Sequence, residues 1–119
     1  GIKKIRLKSK NLGEFLISLI KSELDALGFE ITSPLNSKSR GSHVSIKHKE
    51  AWRICKLLIK GKANRKTIIP DFRPNNNIRF GLAPLYVSYM DLFESIERIK
   101  EIMINKEFLS IDNSKESVT

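Results

Sequence analysis

The chain has 119 residues, enough for one domain with a single modest hydrophobic core and too few for two. Hydrophobic residues make up 40% of it, which argues against a disordered chain, and no apolar run approaches the roughly 20 residues that span a bilayer. The N-terminus lacks the apolar segment of a signal peptide, and the single cysteine, Cys55, excludes an internal disulfide. Together these features predict a cytoplasmic protein with no membrane association.

The net charge is +9, from 22 basic and 13 acidic residues. Eight of the basic residues lie between Lys47 and Lys66, where Glu50 is the single acidic residue. A basic surface of this kind is one signature of a nucleic-acid-binding module. A solvated charged face is the simpler explanation, because the sequence has no zinc-ligand spacing, no Gly-x-x-Gly clamp and no interleaved aromatic residues for base stacking. Nucleic acid is therefore not the expected partner, and a basic binding module is kept as the alternative from another functional class.

The first predicted element is an amphipathic helix over residues 9–28, with Asn11 and Glu14 as a candidate capping box and Gly28 at its end. Residues 29–35 predict a short edge strand that Pro34 stops. The chain begins with glycine rather than methionine, and we expect it to be a piece of a longer protein.

The middle of the chain predicts strands and a second helix. Residues 42–48 alternate between apolar and polar side chains, as a half-buried strand does, and a helix over 49–61 follows. Two further strands, 67–72 and 77–83, are joined by a turn at RPNNN, and Pro84 ends the second. The side chains expected to face inward from the helix are Ala51, Cys55, Leu58 and Ile59.

A last helix is predicted to run to about residue 106, capped by Asp91 and Glu94. Its expected inward side chains are Leu92, Phe93, Ile96, Ile99 and Met103. The order of elements predicts an α+β (α/β) domain with a small, mostly antiparallel sheet of three to four strands covered by helices. Residues 1–107 are assigned to this domain, and residues 108–119 are predicted to be a polar, disordered tail.

The ionisable residues do not form a complete active site. His43 and His48 are predicted to lie on opposite faces as surface histidines, and no cysteine or carboxylate pair joins them at ligand spacing, so no metal site is expected. Cys55 lies on the apolar stripe of its helix, which predicts an inert buried thiol. Trp52 is expected to pack or to be half exposed.

The segment IIPDFRPNNNIRFGLAPLY places Arg79 between two apolar residues. A guanidinium in an apolar strand is costly unless it is paired and hydrogen-bonded. The first interpretation is structural: a salt bridge to Asp71 on the neighbouring strand, or a side chain that reaches solvent at the strand end. The second is functional, because the planar fork of an arginine matches the two oxygens of a ligand carboxylate. The residues alone favour the structural interpretation.

Four short motifs then occur in the order in which kynureninases contain them near the C-terminus. They are R-G-S-H-V-S (40–45), D-F-R (71–73), I-R-F-G (78–81) and A-P-L-Y (83–86). Upstream, RLKSKNLGEFLISLIKSEL (6–24) is similar to the helix that precedes them in that family. The chain thus resembles the small C-terminal domain of kynureninase, a fold-type I, class V aminotransferase-like enzyme that uses pyridoxal 5'-phosphate.

The resemblance implies an enzyme of the tryptophan and kynurenine pathway that hydrolyses L-kynurenine to anthranilate and L-alanine as a homodimer. In that family the arginine of I-R-F-G binds the substrate α-carboxylate, and the matching residue is Arg79. Arg40, Gly41, Asp71 and Arg73 also match family positions, and structural roles are expected for them.

The cofactor lysine, the aspartate facing the pyridine nitrogen and the phosphate ligands of such enzymes belong to the large domain of the same chain. Lys47, His48 and Lys49 follow R-G-S-H-V-S, which is the wrong context for a cofactor lysine. No catalytic, cofactor-binding or metal-binding residue is therefore expected here, and the isolated chain should be inactive. The connector at residues 60–67 is longer than the one usual in the kynureninase family. The small domain of a cysteine desulfurase or of an aminotransferase is the near alternative, against which A-P-L-Y argues.

Overall fold

The computed structural model describes residues 1–36, 41–60 and 68–112. The predictions made for Arg40, for residues 61–67 of the connector and for residues 113–119 of the tail lie outside these ranges. The elements in chain order are helix α1 (Ile2–Glu23), a 3-10 turn (Asp25–Leu27), strand β1 (Glu30–Ile31), strand β2 (His43–Lys47), helix α2 (Ala51–Lys60), strand β3 (Ile68–Arg73), strand β4 (Asn77–Leu82), helix α3 (Tyr89–Ile104) and a second 3-10 turn (Glu107–Ser110).

The strands form one antiparallel sheet of four in the order β1-β2-β4-β3, with β4 paired on both sides. This confirms the predicted α+β class and the small antiparallel sheet. Helix α2 takes the chain from β2 past β4 to the far edge, where β3 begins. The hairpin then returns the chain to the centre of the sheet, which places β4 between the two strands that flank it.

The turn predicted at RPNNN joins β3 to β4. Asn75 and Asn76 have positive φ values of 68° and 59°, a left-handed conformation that asparagine adopts more readily than most residues. The side-chain amide of Asn77 donates to the carbonyl oxygens of Pro74 and Asn75, at 3.0 and 3.3 Å. The asparagine run therefore supplies both the backbone conformation and the hydrogen bonds of a tight hairpin.

One face of the sheet and the inner sides of the helices form the core. Alternate residues of β2 and β4 are buried, and burial of each such side chain stabilises the fold by roughly 1.5–3 kcal/mol. The buried residues of these strands are Val44, Ile46, Ile78, Phe80 and Leu82, and those of α1 and α3 include Leu12, Leu16, Ile20, Leu92, Ile96, Ile99 and Ile102. The helices thus cover the face that the alternation predicted.

Helix α1 is longer at its start than the sequence predicted. The predicted start at residue 9, with a capping box at Asn11 and Glu14, is wrong, since the helix begins at Ile2 and passes through both residues. The α-helix ends at Glu23, and Gly28, with φ 93°, ends the following 3-10 turn in the left-handed conformation. The left-handed conformation predicted for Gly28 is confirmed, but the prediction that Gly28 ends the α-helix is wrong, since the helix ends at Glu23.

The cap of α3 and two inward-facing residues also need correction. Ser88 is the N-cap: its Oγ accepts from the Asp91 N–H at 3.1 Å, and the Asp91 carboxylate accepts from the Ser88 N–H at 2.9 Å. Ile59 and Phe93 are 56% and 46% exposed, so the prediction that they face inward is wrong. Each lies one position beyond the buried stripe of its helix, where the 3.6-residue period turns the side chain outward.

An ion pair holds the second 3-10 turn on α3. The Arg98 guanidinium donates from Nη1 and Nη2 to the two carboxylate oxygens of Glu107, both at 2.9 Å. These hydrogen bonds raise the pKa of Arg98 and lower that of Glu107. Phe108 and Ile111 pack against the core. The packed residues thus run on to Ile111, and the division of the chain after residue 107 stays a prediction.

His48 is buried, with 7% of its surface exposed, so its assignment as a surface histidine is wrong. Its Nδ1 accepts a hydrogen bond from the Glu50 N–H at 2.9 Å, and its Nε2 lies 3.2 Å from the carbonyl oxygen of Leu27. The neutral ring with its proton on Nε2 satisfies both contacts. The ring also packs on Phe29, with the ring centroids 4.4 Å apart. His48 therefore joins the end of α1 to the start of α2.

This burial predicts a pH-dependent stability. Burial lowers the pKa of folded His48 because it penalises the charged ring, whereas the unfolded residue titrates near 6.5. The stabilising contribution is therefore complete above the unfolded pKa and is lost as the pH falls through the lowered pKa of the folded state. We expect the free energy of unfolding from urea titrations to decrease between about pH 7 and about pH 5.

His48→Gln should remove this part of the pH dependence, whereas the matched change His43→Gln, at an exposed residue, should retain it. A wild-type slope in His48→Gln would contradict the assignment.

Candidate functional site

Strand alternation explains the position of Arg79 within an apolar run. Its neighbours Ile78 and Phe80 are 0% and 3% exposed and face the helices. Arg79 lies on the opposite face of β4, where its side chain is 37% exposed. The guanidinium is therefore not buried in the core, and the desolvation cost considered from the sequence is largely avoided.

Arg79 is paired with Asp71, as the structural interpretation predicted. The two residues are direct partners in the β3–β4 register, and Nη2 of Arg79 lies 3.3 Å from Oδ2 of Asp71. Nη1 of Arg73 lies 3.4 Å from the same oxygen. One carboxylate thus serves two guanidinium groups, which leaves this part of the sheet with a net positive charge. All three side chains are between 37% and 48% exposed, so the pairing is a weak contribution to stability.

The open face of the sheet contains a pocket of about 440 Å³ beside Arg79. Residues of three strands and of the segment after β1 line it: Thr32, Ser33, Pro34, His43, Ser45, Arg73, Asn77 and Arg79. Ser45 is the direct partner of Arg79 in the β2–β4 register. Gly81, two residues after Arg79, adds no side chain to the same face. The Arg79 pocket, as we call it, is therefore polar, open to solvent and cationic.

Hydrogen bonds fix the wall of the Arg79 pocket opposite the two arginines. The Thr32 hydroxyl donates to Oδ1 of Asn77 at 2.6 Å. The Ser45 N–H donates to the hydroxyl oxygen of Ser33 at 3.2 Å, and the Thr32 N–H donates to the Ser45 carbonyl at 2.9 Å. These contacts extend the pairing of β1 with β2 past the end of β1. They fix the segment after β1, whose Thr32 and Ser33 line the Arg79 pocket.

The Arg79 pocket has the chemistry of an anion-binding site. A guanidinium has five N–H donors and keeps its charge at any physiological pH. Among the described residues, Asp71 accepts one hydrogen bond from Arg79. Most of the N–H donors of Arg79 are therefore left for a ligand. The described residues of the pocket lining include no carboxylate, cysteine or lysine. The arrangement suits binding and orientation of an anion.

Cys55 and Trp52 are not among the lining residues of the Arg79 pocket. Cys55 is 2% exposed, and burial raises the pKa of its thiol to about 12, which agrees with an inert thiol. Trp52 is half-buried, with the Lys56 ammonium 5.4 Å from its ring centroid. Within residues 1–36, 41–60 and 68–112, no three His, Cys, Asp or Glu side chains are close enough to hold a metal ion. Over the same ranges, none of the helices has the length and apolar character to span a bilayer.

The sequence singled out Arg79 and its Asp71 partner but not the rest of the pocket. His43 and Ser45 alternate onto the same face of β2, which the strand pattern does show. Their position beside Arg79 depends on the pairing of β2 with β4, in which the partners Ser45 and Arg79 are 34 positions apart in the chain. The contribution of Thr32 and Ser33 depends on the path of the chain after β1 and has no sequence signal that we can identify.

A family model described as kynureninase C-terminal domain matches residues 5–99 of the chain. A kynureninase of Bacillus anthracis is 40% identical over 118 residues, and one of Geobacillus thermodenitrificans is 39% identical over the same length. A kynureninase of Shouchella clausii is 35% identical. Each match covers 99% of this chain and 26% of the relative, so the chain spans about a quarter of the length of these proteins.

The exposure of the Asp71–Arg79 pair predicts a small coupling energy. We expect a double-mutant cycle of Asp71→Ala and Arg79→Ala, measured by urea unfolding of the chain, to give less than about 1 kcal/mol. Added salt should reduce it further, because exposed charges are screened. A coupling of several kcal/mol that is insensitive to salt would instead mean that Arg79 is present to stabilise the sheet.

Proposed function

Since the chain belongs to the kynureninase family, as its C-terminal domain, we propose that it supplies the substrate-binding arginine of a kynureninase. In this proposal the full-length protein is a cytoplasmic homodimer that hydrolyses L-kynurenine to anthranilate and L-alanine with pyridoxal 5'-phosphate. Arg79 binds the α-carboxylate of the substrate. The observation that most supports this is the position of Arg79, the arginine of I-R-F-G, on the uncovered face of the sheet with most of its donors without a described partner.

The central strand gives Arg79 the rigidity that substrate binding requires. β4 is hydrogen-bonded to β2 on one side and to β3 on the other, and its alternate residues are anchored in the core. A guanidinium mounted on such a strand can meet a carboxylate in a bidentate geometry with little reorganisation. Asp71 holds Nη2 from the β3 side and so restricts the orientation of the fork.

Arg73 offsets the charge of Asp71. A lone carboxylate beside Arg79 would repel a second carboxylate arriving from the substrate. With Arg73 3.4 Å from the same Asp71 oxygen, the three groups together have a charge of one positive unit, which attracts the substrate anion. This gives D-F-R a role in the proposal as the support of Arg79.

The cofactor does not fit the described part of this chain. The Arg79 pocket lining contains no lysine for the aldehyde and no carboxylate for the pyridine nitrogen, and the neighbouring Lys47 is exposed. We therefore place pyridoxal 5'-phosphate in the preceding part of the full-length protein, and propose that the isolated chain is inactive. When bound, the cofactor provides the electron sink for carbon–carbon bond cleavage. The residues of this chain bind the substrate carboxylate and fix its direction.

The alternatives have less support. The small domain of a cysteine desulfurase or of an aminotransferase would not explain A-P-L-Y or the kynureninase family match. For nucleic-acid binding, two of the cations of α2 are engaged within the domain. Arg53 pairs with Glu50 at 3.2 Å, and Lys56 lies over the Trp52 ring.

The carboxylate role of Arg79 is tested in the full-length protein. We expect Arg79→Lys to keep the cofactor absorbance and to raise the apparent KM for L-kynurenine. The loss should be about 1.5–3 kcal/mol in kcat/KM, or roughly ten- to hundredfold, because one charged bidentate contact is replaced by a weaker one. Steady-state kinetics with an absorbance spectrum of each variant provide the measurement.

Arg73→Lys is the matched control, since Arg73 shares the face and the carboxylate partner of Arg79. It should cost less than Arg79→Lys because Arg73 has no proposed contact with the substrate, and a lysine there still offsets the charge of Asp71. Unchanged kinetics in Arg79→Lys would discard the carboxylate role, and equal losses in both variants would point to a general charge effect.

The nucleic-acid alternative is tested with the chain itself. We expect no retardation of short single-stranded RNA or duplex DNA on a native gel at moderate salt. A basic nucleic-acid surface would instead give binding that weakens steeply as the salt concentration rises. Salt-dependent retardation by the chain would revive the alternative.

A further inference from the structure

The first turns of α1 have an apolar stripe that the described residues leave uncovered. Ile2, Ile5 and Ser9 lie on the same side of the helix as Leu12 and Leu16, because the spacing follows the helical period. Leu12 and Leu16 are 0% and 2% exposed in the core, whereas Ile2 and Ile5 are 64% and 37% exposed. The stripe that packs the domain therefore continues for about two turns beyond its own core.

The uncovered stripe borders a groove of about 620 Å³. One wall is the start of α1, including Ile5 and Ser9, and the other contains Ser42 and Pro84. The hydroxyl oxygens of Ser9 and Ser42 are 3.1 Å apart at its base. We call this the N-terminal groove. It runs between the first helix and the ends of β2 and β4.

Large exposed apolar side chains continue from the N-terminal groove along the start of α3. Leu85 and Tyr86 directly follow Pro84 and are 64% and 73% exposed, and Met90 is 62% exposed. The Tyr89 ring lies edge-on to Phe15 of α1, with the centroids 4.9 Å apart, which joins α3 to α1 at this end. We take these exposed apolar side chains, which follow a residue of the groove in the chain, as part of one interaction surface.

Charge defines what the N-terminal groove would accept. The polar side of the first turns contains Lys3, Lys4, Arg6, Lys8 and Lys10, and the first acidic residue of the chain is Glu14. The groove is thus an apolar channel with a cationic border. A complementary partner has apolar side chains surrounded by carboxylates.

The relatives indicate where this partner comes from. The chain matches a C-terminal domain and covers 26% of the length of each relative, so about three quarters of such a protein lies before it. We propose that the N-terminal groove, with Leu85, Tyr86 and Met90, is the docking surface for an acidic, apolar surface of the preceding part of the same polypeptide. This deepens the proposed function and rests on it, since docking there sets the position of Arg79 relative to the substrate.

The geometry connects the N-terminal groove with the Arg79 pocket. Ser42 lines the groove, and the next residue, His43, lines the Arg79 pocket. Adjacent residues of an extended strand point to opposite faces of a sheet, so the groove opens on the helix side and the Arg79 pocket on the open face. The two sites share only the start of β2, and a body seated in the groove must extend past this end of the sheet to reach Arg79.

Footprinting tests the docking surface without relying on catalysis. The full-length protein and the 119-residue chain, which has its own buried core, are oxidised with hydroxyl radicals and mapped by mass spectrometry. We expect Met90, Leu85 and Tyr86 to be labelled several-fold more slowly in the full-length protein, while the exposed Ile59 of α2 is labelled equally in both. Equal labelling of the three residues in both proteins would overturn the proposal.

A pair of substitutions tests the contact itself. Leu85→Asp and Ile59→Asp change aliphatic residues that are 64% and 56% exposed, so both should leave the thermal midpoint of the 119-residue chain unchanged. In the full-length protein we expect Leu85→Asp alone to lower the midpoint and to restore the labelling of Met90. A loss in the isolated chain as large as in the full-length protein would overturn the surface role of Leu85.

Two outcomes distinguish this docking proposal from self-association of the chain and from the carboxylate role of Arg79. If sedimentation shows that the 119-residue chain dimerises and that Leu85→Asp abolishes the dimer, the occupant is a second copy and the assignment falls. If the footprint is protected but Arg79→Lys has wild-type kinetics, the docking surface stands and the carboxylate role falls. If Met90, Leu85 and Tyr86 are labelled equally in both proteins but Arg79→Lys has a large kinetic effect, the carboxylate role stands and the docking surface falls.

Discussion

The placement of Arg79 depends on the two-residue period of β4 in the centre of the sheet. Ile78, Phe80 and Leu82 are buried on one face, and this fixes the direction of every residue between them. A slip of one residue in the register would bring the guanidinium into the core and move the apolar side chains to solvent. The energy of the core therefore also sets the direction of Arg79. No separate interaction is needed to hold it outward, and its weak pairing with Asp71 is free to tune the orientation of the fork.

The one-sided packing of the sheet gives the domain its two surfaces. All the buried strand residues face the helices, while the other face has Ser45, Arg79 and Asp71 in one row across three strands. Antiparallel sheets tolerate such an arrangement, because one face can remain solvated. A polar open face of this kind is stable in the isolated domain and can form one wall of a site between two bodies. The same architecture thus satisfies the fold and leaves a polar, cationic face open to solvent.

The sequence was most informative where local chemistry decides the structure. The alternation of β2, the turn at RPNNN and the left-handed conformation of Gly28 follow from properties of a few adjacent residues and were predicted correctly. The alternation of β4 was not predicted, because its residues were interpreted as an apolar strand. The Asp71–Arg79 pair also followed, because a short hairpin fixes its register. The start of α1 was missed because Asn11 and Glu14 imitate a cap while the apolar stripe continues to Ile2. His48 was missed because its burial arises from the ends of two helices that meet in space, and alternation no longer applies once the strand has ended.

The start of α1, which was missed from the sequence, shares a property with Arg79, which the sequence pattern alone could not explain. Ile2 and Ile5 continue the apolar stripe of α1 past the core, and Arg79 presents hydrogen-bond donors on the open face of the sheet. Each satisfies a rule of local structure, yet among the described residues Ile2 and Ile5 stay exposed and Asp71 takes only one hydrogen bond from Arg79. Ser42 borders the groove and His43 the Arg79 pocket, on opposite faces of the sheet where β2 begins. A domain that evolved to act alone would have little reason to leave an apolar groove and a cationic pocket uncovered. In our proposal the body that docks in the groove also sets where a substrate lies relative to Arg79.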